Sequence, residues 1–461
     1  MAGSPRPDSE CDEVAADLLA AGDRVVALAK PGEQVEAVVD RGRHVEVRVY
    51  EGDIESLSSA ESQGAGVRVV VDHRQGFAYA ASLDADVLAE TLEEARDNAT
   101  FATPDEFLGL AEPDGVRVPD LDLYRLGMDE VPTETKIDLA LALERAVKGA
   151  DRRISGVESA EYVDAMAEGG VVTNTGIRSA GRETACYVAA SCVATQDDDT
   201  QTGFGYSVGR ELADVDIEVA AADAAERATR LLGATKPPSG RFTIVLDPYV
   251  TAQFLSIIGG TLSGEAVLKG RSLFAERLGE EVANGLVSLV DDPTNPLAYT
   301  ATETDGEGLA TRRNPLIDRG VLRQFVQNSY TARRSGTTST GSAVRGGFKS
   351  TPGVGCMALA LDPGTKQQAE LLADVGDGVL VSSVSGLHSG VNAVSGDFST
   401  GAEGLRISGG ALAQPLREFT IASTLQRMLH DVQAVGADVE WLPMSAAGVS
   451  LVIADVTVSG L

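Results

Sequence analysis

Lys236-Pro237-Pro238-Ser239-Gly240 divides this chain into two unlike parts. Two consecutive prolines remove backbone donors and fix φ, and the Ser-Gly after them does not resume a helix, so the Ala-rich segment before them must end here. We read 236–240 as a linker. On its N-terminal side the hydrophobic pattern changes period repeatedly. From Cys11 to Ala29 the apolar residues Val14, Leu18, Leu19, Val25 and Val26 recur at helical spacing until Pro31-Gly32 stops them. From Gln34 to Leu83 the pattern alternates through Val35, Val45, Val47, Val49 and Val67 to Val71, punctuated by Gly64, Gly66 and Gly76, which predicts three or four antiparallel strands. Asp84 to Ala102 is helical again, with Asp84 placed to cap it and Val87, Leu88, Leu92 and Ala95 on one face.

A Pro- and Asp-rich connector, Thr103 to Asp120, precedes a second round of the same pattern. It comprises a helix over Thr133 to Lys148, strands between Ile154 and Thr195, and the Ala-rich helix Val215 to Leu232. The expected fold class is α+β. Its N-terminal region has helices packed on antiparallel sheets, in units at 1–125 and 126–235. Residues 241–461 read as a β-rich domain with a few helices: a strand Phe242 to Leu246, a helix Tyr249 to Ile258, glycine-punctuated β structure, one long helix Leu416 to Val435, and a last strand Val449 to Val458.

A length of 461 residues suggests two or three domains with a sizeable core. Sixty-nine acidic residues against 38 basic ones give a net charge of -31, which opposes nonspecific contact with nucleic acid or anionic membranes. Solubility or a salty cytoplasm accounts for such acidity. Cys11, Cys186, Cys192 and Cys356 form no C-x-x-C pair. Met1 to Asp12 lacks a basic-then-apolar signal, and no window approaches the roughly 18 apolar residues of a membrane span. The expected location is cytoplasmic.

Gly264-Glu265-Ala266-Val267-Leu268-Lys269-Gly270 has the outline of a zinc-peptidase helix without its ligands. A hydrolytic zinc site needs about three imidazole, thiolate or carboxylate ligands and a nearby carboxylate base, and helical sites open on His-Glu with a second His about one turn on. Gly264 offers no ligand, and protonated Lys269 repels a dication, leaving Glu265 with nothing to activate. On this heptapeptide alone, an ordinary amphipathic helix with a surface glutamate is the simpler account.

Other patterns point to chemistry less directly. Gly205-Tyr206-Ser207-Val208-Gly209 fits a nucleophile elbow, with His388 or His430 downstream, although the polar residues before it do not resemble a buried strand. Gly341 to Ser350 departs from a phosphate-binding loop at Phe348, and Gly203-Phe204-Gly205 lacks a dinucleotide turn's further glycine. His44, His73 and His430 read as solvated or structural. His388 lies in a glycine-flanked segment with Asn392 and Asp397 near it in sequence, so it is placed to line a cleft. Between Arg312 and Lys349 the basic residues, Arg333 and Arg345 among them, face Asp318 alone, a block suited to a peptide carboxylate or to internal pairing.

Over nearly its whole length the chain resembles the TldD/PmbA (TldD/TldE) family. The resemblance rests on Gly64-Ala65-Gly66-Val67-Arg68-Val69 with Gly76-Phe77, Asn328-Ser329-Tyr330-Thr331-Ala332, Ser339-Thr340-Gly341-Ser342-Ala343, Leu387-His388-Ser389-Gly390-Val391-Asn392 and Ser395-Gly396-Asp397-Phe398-Ser399, in that order. TldD-type subunits carry a His-Glu-x-x-x-His zinc motif and a further cysteine ligand near the C-terminus. Against that motif, Gly264 and Lys269 stand at the histidines, Glu265 at the glutamate, and Leu442 to Gly448 offers no cysteine. The chain therefore resembles the PmbA/TldE branch. That resemblance implies a non-catalytic subunit that binds no metal itself and forms a heterodimer with a TldD-like zinc subunit, which cleaves extended or unfolded peptides. His388, Asn392, Asp397, Arg333 and Arg345 are the peptide-groove candidates. Two alternatives are a homodimer that binds peptides without cutting them and, more remotely, a serine hydrolase using Ser207.

Overall fold

The structure, a computed structural model, describes residues 8–461, with side chains from residue 15 onward. Residues 1–7 of the stretch Met1 to Asp12, read above for a leader, thus fall outside the described residues, and so does the side chain of Cys11. The N-terminal half is built from α1 (Asp8–Val26), β1 (Gln34–Tyr50), β2 (Asp53–Val71), β3 (Arg74–Ala80), α2 (Ala85–Phe101), α3 (Thr133–Ala150), β4 (Ile154–Thr173), β5 (Arg178–Gln196), β6 (Asp199–Gly209) and α4 (Ile217–Thr229). Its strands form one antiparallel sheet in the order β3-β2-β1-β4-β5-β6. β1 and β4 pair from Glu36↔Thr173 to Val49↔Ala160, so a single sheet runs through both helix-and-strand rounds.

The two-residue period of β1 makes this possible. Val35, Ala37 and Val39 pack with α1 and α2 through Leu18, Val25, Leu88 and Leu92, while Val47 and Val49, on the same face, pack with α3 and α4 through Leu143, Val147 and Ala224. One strand thereby floors two clusters. α4 is Ala-rich because it lies against the backbone of β6: a Cβ on Gly203 or Gly205 would stand 2.2 Å from Ala224 O or 2.0 Å from Ala220 O.

The connector between α2 and α3 is a strap bound across the C-terminal half. Arg333 donates to the carbonyls of Phe107, Gly109 and Leu110, Arg312 pairs with Asp114, and Glu303 accepts from Leu121 N. The Pro-Pro segment is likewise tied down, Pro237 O accepting from Leu461 N at 2.9 Å.

The C-terminal half contains β7 (Gly240–Leu246), α5 (Pro248–Thr261), α6 (Gly264–Leu268), β8 (Leu289–Asp291), β9 (Asn314–Asp318), β10 (Val321–Leu322), α7 (Ser329–Ser335), β11 (Ala343–Val344), β12 (Gly353–Val354), β13 (Leu359–Leu361), α8 (Gln368–Val375), β14 (Gly378–Ser385), α9 (Leu387–Gly390), β15 (Asp397–Ser408), β16 (Ala411–Thr424), α10 (Leu425–His430), β17 (Val432–Val435) and β18 (Leu451–Ser459). Its main sheet runs β16-β15-β14-β7-β18-β17, with β16 also pairing with β18, and β8, β9, β10 and β13 form a smaller sheet. The main core cluster lies here, around Phe254, Phe274, Phe398 and Phe419. The molecule is α+β, as its sequence predicts.

The long helix expected over Leu416 to Val435 is a correction. The segment is mostly strand β16, the single turn and a half of α10, and strand β17. Glu418 takes a left-handed φ of 51°, and the ladder with β15 shifts register there, Leu416 facing Gly404 and Phe419 facing Ala402. The bulge adds one residue between two buried apolar side chains, so a strand shows a three-residue spacing that mimics a helix.

Candidate functional site

The stretch Gly264 to Gly270 does form a helix, α6, but a short one. Ser263 Oγ caps α6 by accepting from Ala266 N at 3.2 Å, and Gly270, at φ 63°, ends the turn. Glu265 and Lys269, one turn apart and both about half exposed, form an ion pair with each other. Gly264 is buried, and its N–H donates to Val326 O at 2.8 Å, which draws the next residue, Gln327, against it. A Cβ on Gly264 would lie 2.0 Å from Gln327 Oε1 and 2.7 Å from Gln327 Cδ. The amide thus fills the volume into which a side chain at 264 would project. Gln327 is only 6% exposed, and Oε1 has no hydrogen-bond donor among the described residues.

These residues do not fit a zinc ion. Glycine supplies no donor atom, its side-chain space is taken by an amide, and the ammonium of Lys269 already neutralises the one carboxylate. Among the described residues, no three His, Cys, Asp or Glu side chains come together as a group able to hold a metal.

What remains beside α6 is a cavity of about 320 Å³ bounded by Glu265, Leu268 and Lys269, by Arg68 and Gln75 of the sheet, by Leu108 and Gly109 of the strap, and by Glu307, Tyr330 and Arg334. α7 is fixed there by a reciprocal cap between Asn328 and Thr331, and Glu307 accepts from Ser329 N at 2.9 Å. Tyr330 donates to Asp105 at 2.8 Å and Arg334 donates to Tyr330 Oη at 2.7 Å, which closes the strap over this side. Behind it, Arg68 grips Glu36 at 3.0 and 2.6 Å and Arg345 reaches the same carboxylate at 2.7 Å. Burial alone would raise the Glu36 carboxyl, but Arg68 and Arg345 outweigh it and hold it below its ordinary value.

A larger cavity, about 770 Å³, lies between the sheet and the loops 302–306 and 343–349, with Asp40, Gly42, Gly169, Gly181, Asp305 and Arg345 on its walls. Burial, and then the charge of Glu307, push Asp305 up to about 7. The structure does not bring the five groove candidates into one site. Arg345 borders the larger cavity, but its donors go to Glu36, Gly306 O and Ser350 O. Arg333 is occupied by the strap. His388 is exposed on α9, and Asn392 and Asp397 are exposed at the two ends of the turn that follows, where Asn392 Oδ1 accepts from Val394 N and Ser395 Oγ donates to Asp397 at 2.7 Å. They line neither cavity. The basic run is largely internal: Arg312 pairs with Asp114, Arg313 with Asp362, Arg323 with Asp318 and Arg334 with Asp105.

Ser207 sits inside β6, opposite Val188 in an antiparallel ladder, and its Oγ accepts from Asp216 N at 2.9 Å. A straight strand has no elbow to expose a nucleophile, so the serine-hydrolase geometry is absent. Sequence reasoning missed Gln327, whose residue type carries no signal, and Glu36, which alternation places on the face opposite Val35 and Ala37 and which is buried there by contact with the C-terminal half.

Comparison with known proteins agrees in chain order. Residues 35–99, 128–232 and 239–460 match the models of PmbA/TldA metallopeptidase domain 1, the central domain and the C-terminal domain. The chain is 26% identical over 408 residues to "Metalloprotease PmbA" of Escherichia coli O157:H7, covering 88% of each, and 24% identical over 437 residues to "Metalloprotease TldD homolog" of Haemophilus influenzae, covering 89% of each. A solved structure from Thermotoga maritima, named as a modulator of a DNA gyrase, superposes with TM-score 0.88 at 26% identity, covering 95% of this chain and 99% of that one. TldE from Thermococcus kodakarensis shares the fold, with TM-score 0.87 at 22% identity over 96% of this chain and 99% of that one. With the three domain models following one another along most of its length, this chain belongs to the PmbA/TldD metallopeptidase family.

Proposed function

We propose that this chain is the non-catalytic, PmbA/TldE-like member of a cytoplasmic two-subunit peptidase, in which a TldD-like homologue carries the zinc and cuts extended peptides. The observation that carries this reading is the Gln327 amide packed over Gly264, where the motif of a zinc subunit has its first imidazole. A surface glutamate neutralised by its own lysine cannot serve as the base for a metal-bound water, so hydrolysis must be supplied by the partner. This chain's part is to complete the enclosure: its strap and α7 fix the wall of a cavity beside the degenerate helix, and Arg68 and Arg345 hold that wall to the sheet.

The test is metal content and peptide cleavage by the purified chain, alone and mixed with a relative that keeps His-Glu-x-x-x-His. The chain alone is expected to hold no stoichiometric zinc and to cut nothing, and the mixture to cut with chelator sensitivity. One tightly bound zinc per chain, with cleavage by the chain alone, would overturn the proposal.

A further inference from the structure

Two buried residues of opposite charge, Arg68 and Glu307, line the cavity beside α6 without forming an ion pair with each other. On β1 and β2 the two-residue period turns Val35, Ala37, Val67 and Val69 toward α1 and α2, and sets Glu36 and Arg68, opposite one another in the ladder, on the other face. Arg68, 5% exposed, donates to Glu36 through Nε and Nη2. Arg345 donates to the same carboxylate, so two guanidinium groups share one negative charge, and Arg68 Nη1 reaches only Gln75 Oε1, at 3.5 Å. A cationic donor therefore stands at the cavity with capacity to spare.

Glu307 is the opposite pole. It is 1% exposed and its Oε2 accepts from Ser329 N, while Oε1 accepts no hydrogen bond and neither oxygen joins an ion pair among the described residues. Arg333 lies within reach of its charge, but Nε, Nη1 and Nη2 of that residue go to the strap carbonyls. A buried carboxylate held by one backbone N–H, with no cation against it, is costly to keep charged. The cavity also has apolar lining in Leu108, Leu268 and Val354, and exposed Thr351 marks its solvent side. An anion alone would leave Glu307 unmatched, and a cation alone would leave the excess guanidinium charge unmatched. A molecule bearing a carboxylate and an ammonium on one carbon, with an apolar body, matches both poles and the wall. At about 320 Å³ the space is at the small end of ligand pockets, about 300–1,000 Å³, which suits a single amino acid better than a length of peptide.

We propose that the cavity beside α6 binds a free apolar α-amino acid, its carboxylate on Arg68, its ammonium on Glu307 and its side chain against Leu108, Leu268 and Val354. Binding is a property of this chain by itself and does not depend on the peptidase reading. Only the source of the ligand rests on that reading, since hydrolysis of peptides liberates such molecules.

The experiment is titration calorimetry on the purified chain alone, so that it reads this site whether or not the chain takes part in proteolysis. L-leucine is expected to bind saturably, one per chain, with a Kd below about 1 mM. 4-Methylpentanoate, which is leucine without its ammonium, and 3-methylbutylamine, which is leucine without its carboxylate, should each bind more than about tenfold more weakly, because each leaves one buried charge without its partner. L-leucyl-L-leucine, whose two charges stand further apart and cannot bridge the poles from one carbon, should also bind more than about tenfold more weakly. Glu307→Gln keeps an acceptor for Ser329 N and should bring L-leucine down to the affinity of 4-methylpentanoate. Thr351→Trp, at an exposed position where folding is little disturbed, should block the cavity and abolish binding. No saturable binding of L-leucine up to about 10 mM, an analogue lacking one charge that binds as well as L-leucine, or full affinity in Thr351→Trp would each overturn the assignment. So would a dipeptide that binds as tightly as L-leucine, which would give the cavity to the ends of peptides, or inorganic phosphate that binds while L-leucine does not, which would make it an anion site.

Discussion

Gln327 Oε1 lies 2.0 Å from where a Cβ on Gly264 would stand, so these two positions share one volume and only one can fill it. Gly264→Ala is expected to destabilise the chain by about 1–3 kcal/mol through overpacking, reduced somewhat by alanine's better helix propensity. Gln327→Ala empties the contested volume and removes a buried acceptor that lacks a donor. The double variant is therefore more stable than the sum of the two single changes predicts, which a double-mutant cycle in urea measures. Strict additivity would show that the amide swings away freely.

Arg345→Ala tests the junction between the halves. The Glu36 carboxylate is about 1% exposed and is shared by Arg68 and Arg345, so losing one cation leaves a buried charge half-compensated. Breaking such a contact costs about 3–5 kcal/mol, read as a fall in denaturation midpoint. The folded-state pKa of Glu36 is lowered from 4.5, so its stabilisation is present above 4.5 and is lost as pH falls through the lower, folded value. Acid unfolding should therefore begin at higher pH in Arg345→Ala.

Asp291 gives the opposite pH dependence. Its Oδ1 accepts from Met357 N at 2.8 Å and Ala358 N at 2.7 Å, while Oδ2 is buried without a donor among the described residues. Burial pushes its pKa from 3.8 up to about 6, so the folded chain holds a proton that the unfolded chain has released. The advantage is present below the unfolded value and is lost as pH rises through about 6. Asp291→Asn, which imitates the neutral acid, should raise the melting temperature at pH 8 and change it little at pH 5; equal effects at both would count against a buried proton.

Glu265→Ala should be nearly silent. An exposed i,i+4 pair is worth about 0.3–0.5 kcal/mol, so thermal stability stays within that range. Cleavage by the mixed complex should persist, and its loss would give Glu265 a function that its pairing with Lys269 does not suggest.

Salt should stabilise the chain. With a net charge of -31, self-repulsion is large at low ionic strength and fades as the Debye length shrinks from about 10 Å at 0.1 M to about 3 Å at 1 M. At about 2.1 cal/mol/K of unfolding entropy per residue, each kcal/mol of relieved repulsion raises the melting temperature of a chain of 461 residues by about 1 °C. A flat or falling profile with added NaCl would mean that attractive ion pairs outweigh the excess charge.

The sequence by itself determined the elements whose side chains keep one face: α1 to α4, the strands up to Gln196, the β7–α5 pair and the last strand all follow from local period. It also determined that residues 264 and 269 bear no zinc-ligand chemistry, because that depends on residue type alone. Tertiary structure decided the rest. A left-handed Glu418 made a strand look helical, and register joined two rounds of elements into one sheet. Contacts between residues far apart in the chain set Glu36 against Arg345, Arg333 on the strap and Gln327 over Gly264. Such partners leave no local trace, since a buried ion pair or a filled volume is fixed by which surfaces meet, and periodicity reports only which side of an element is buried.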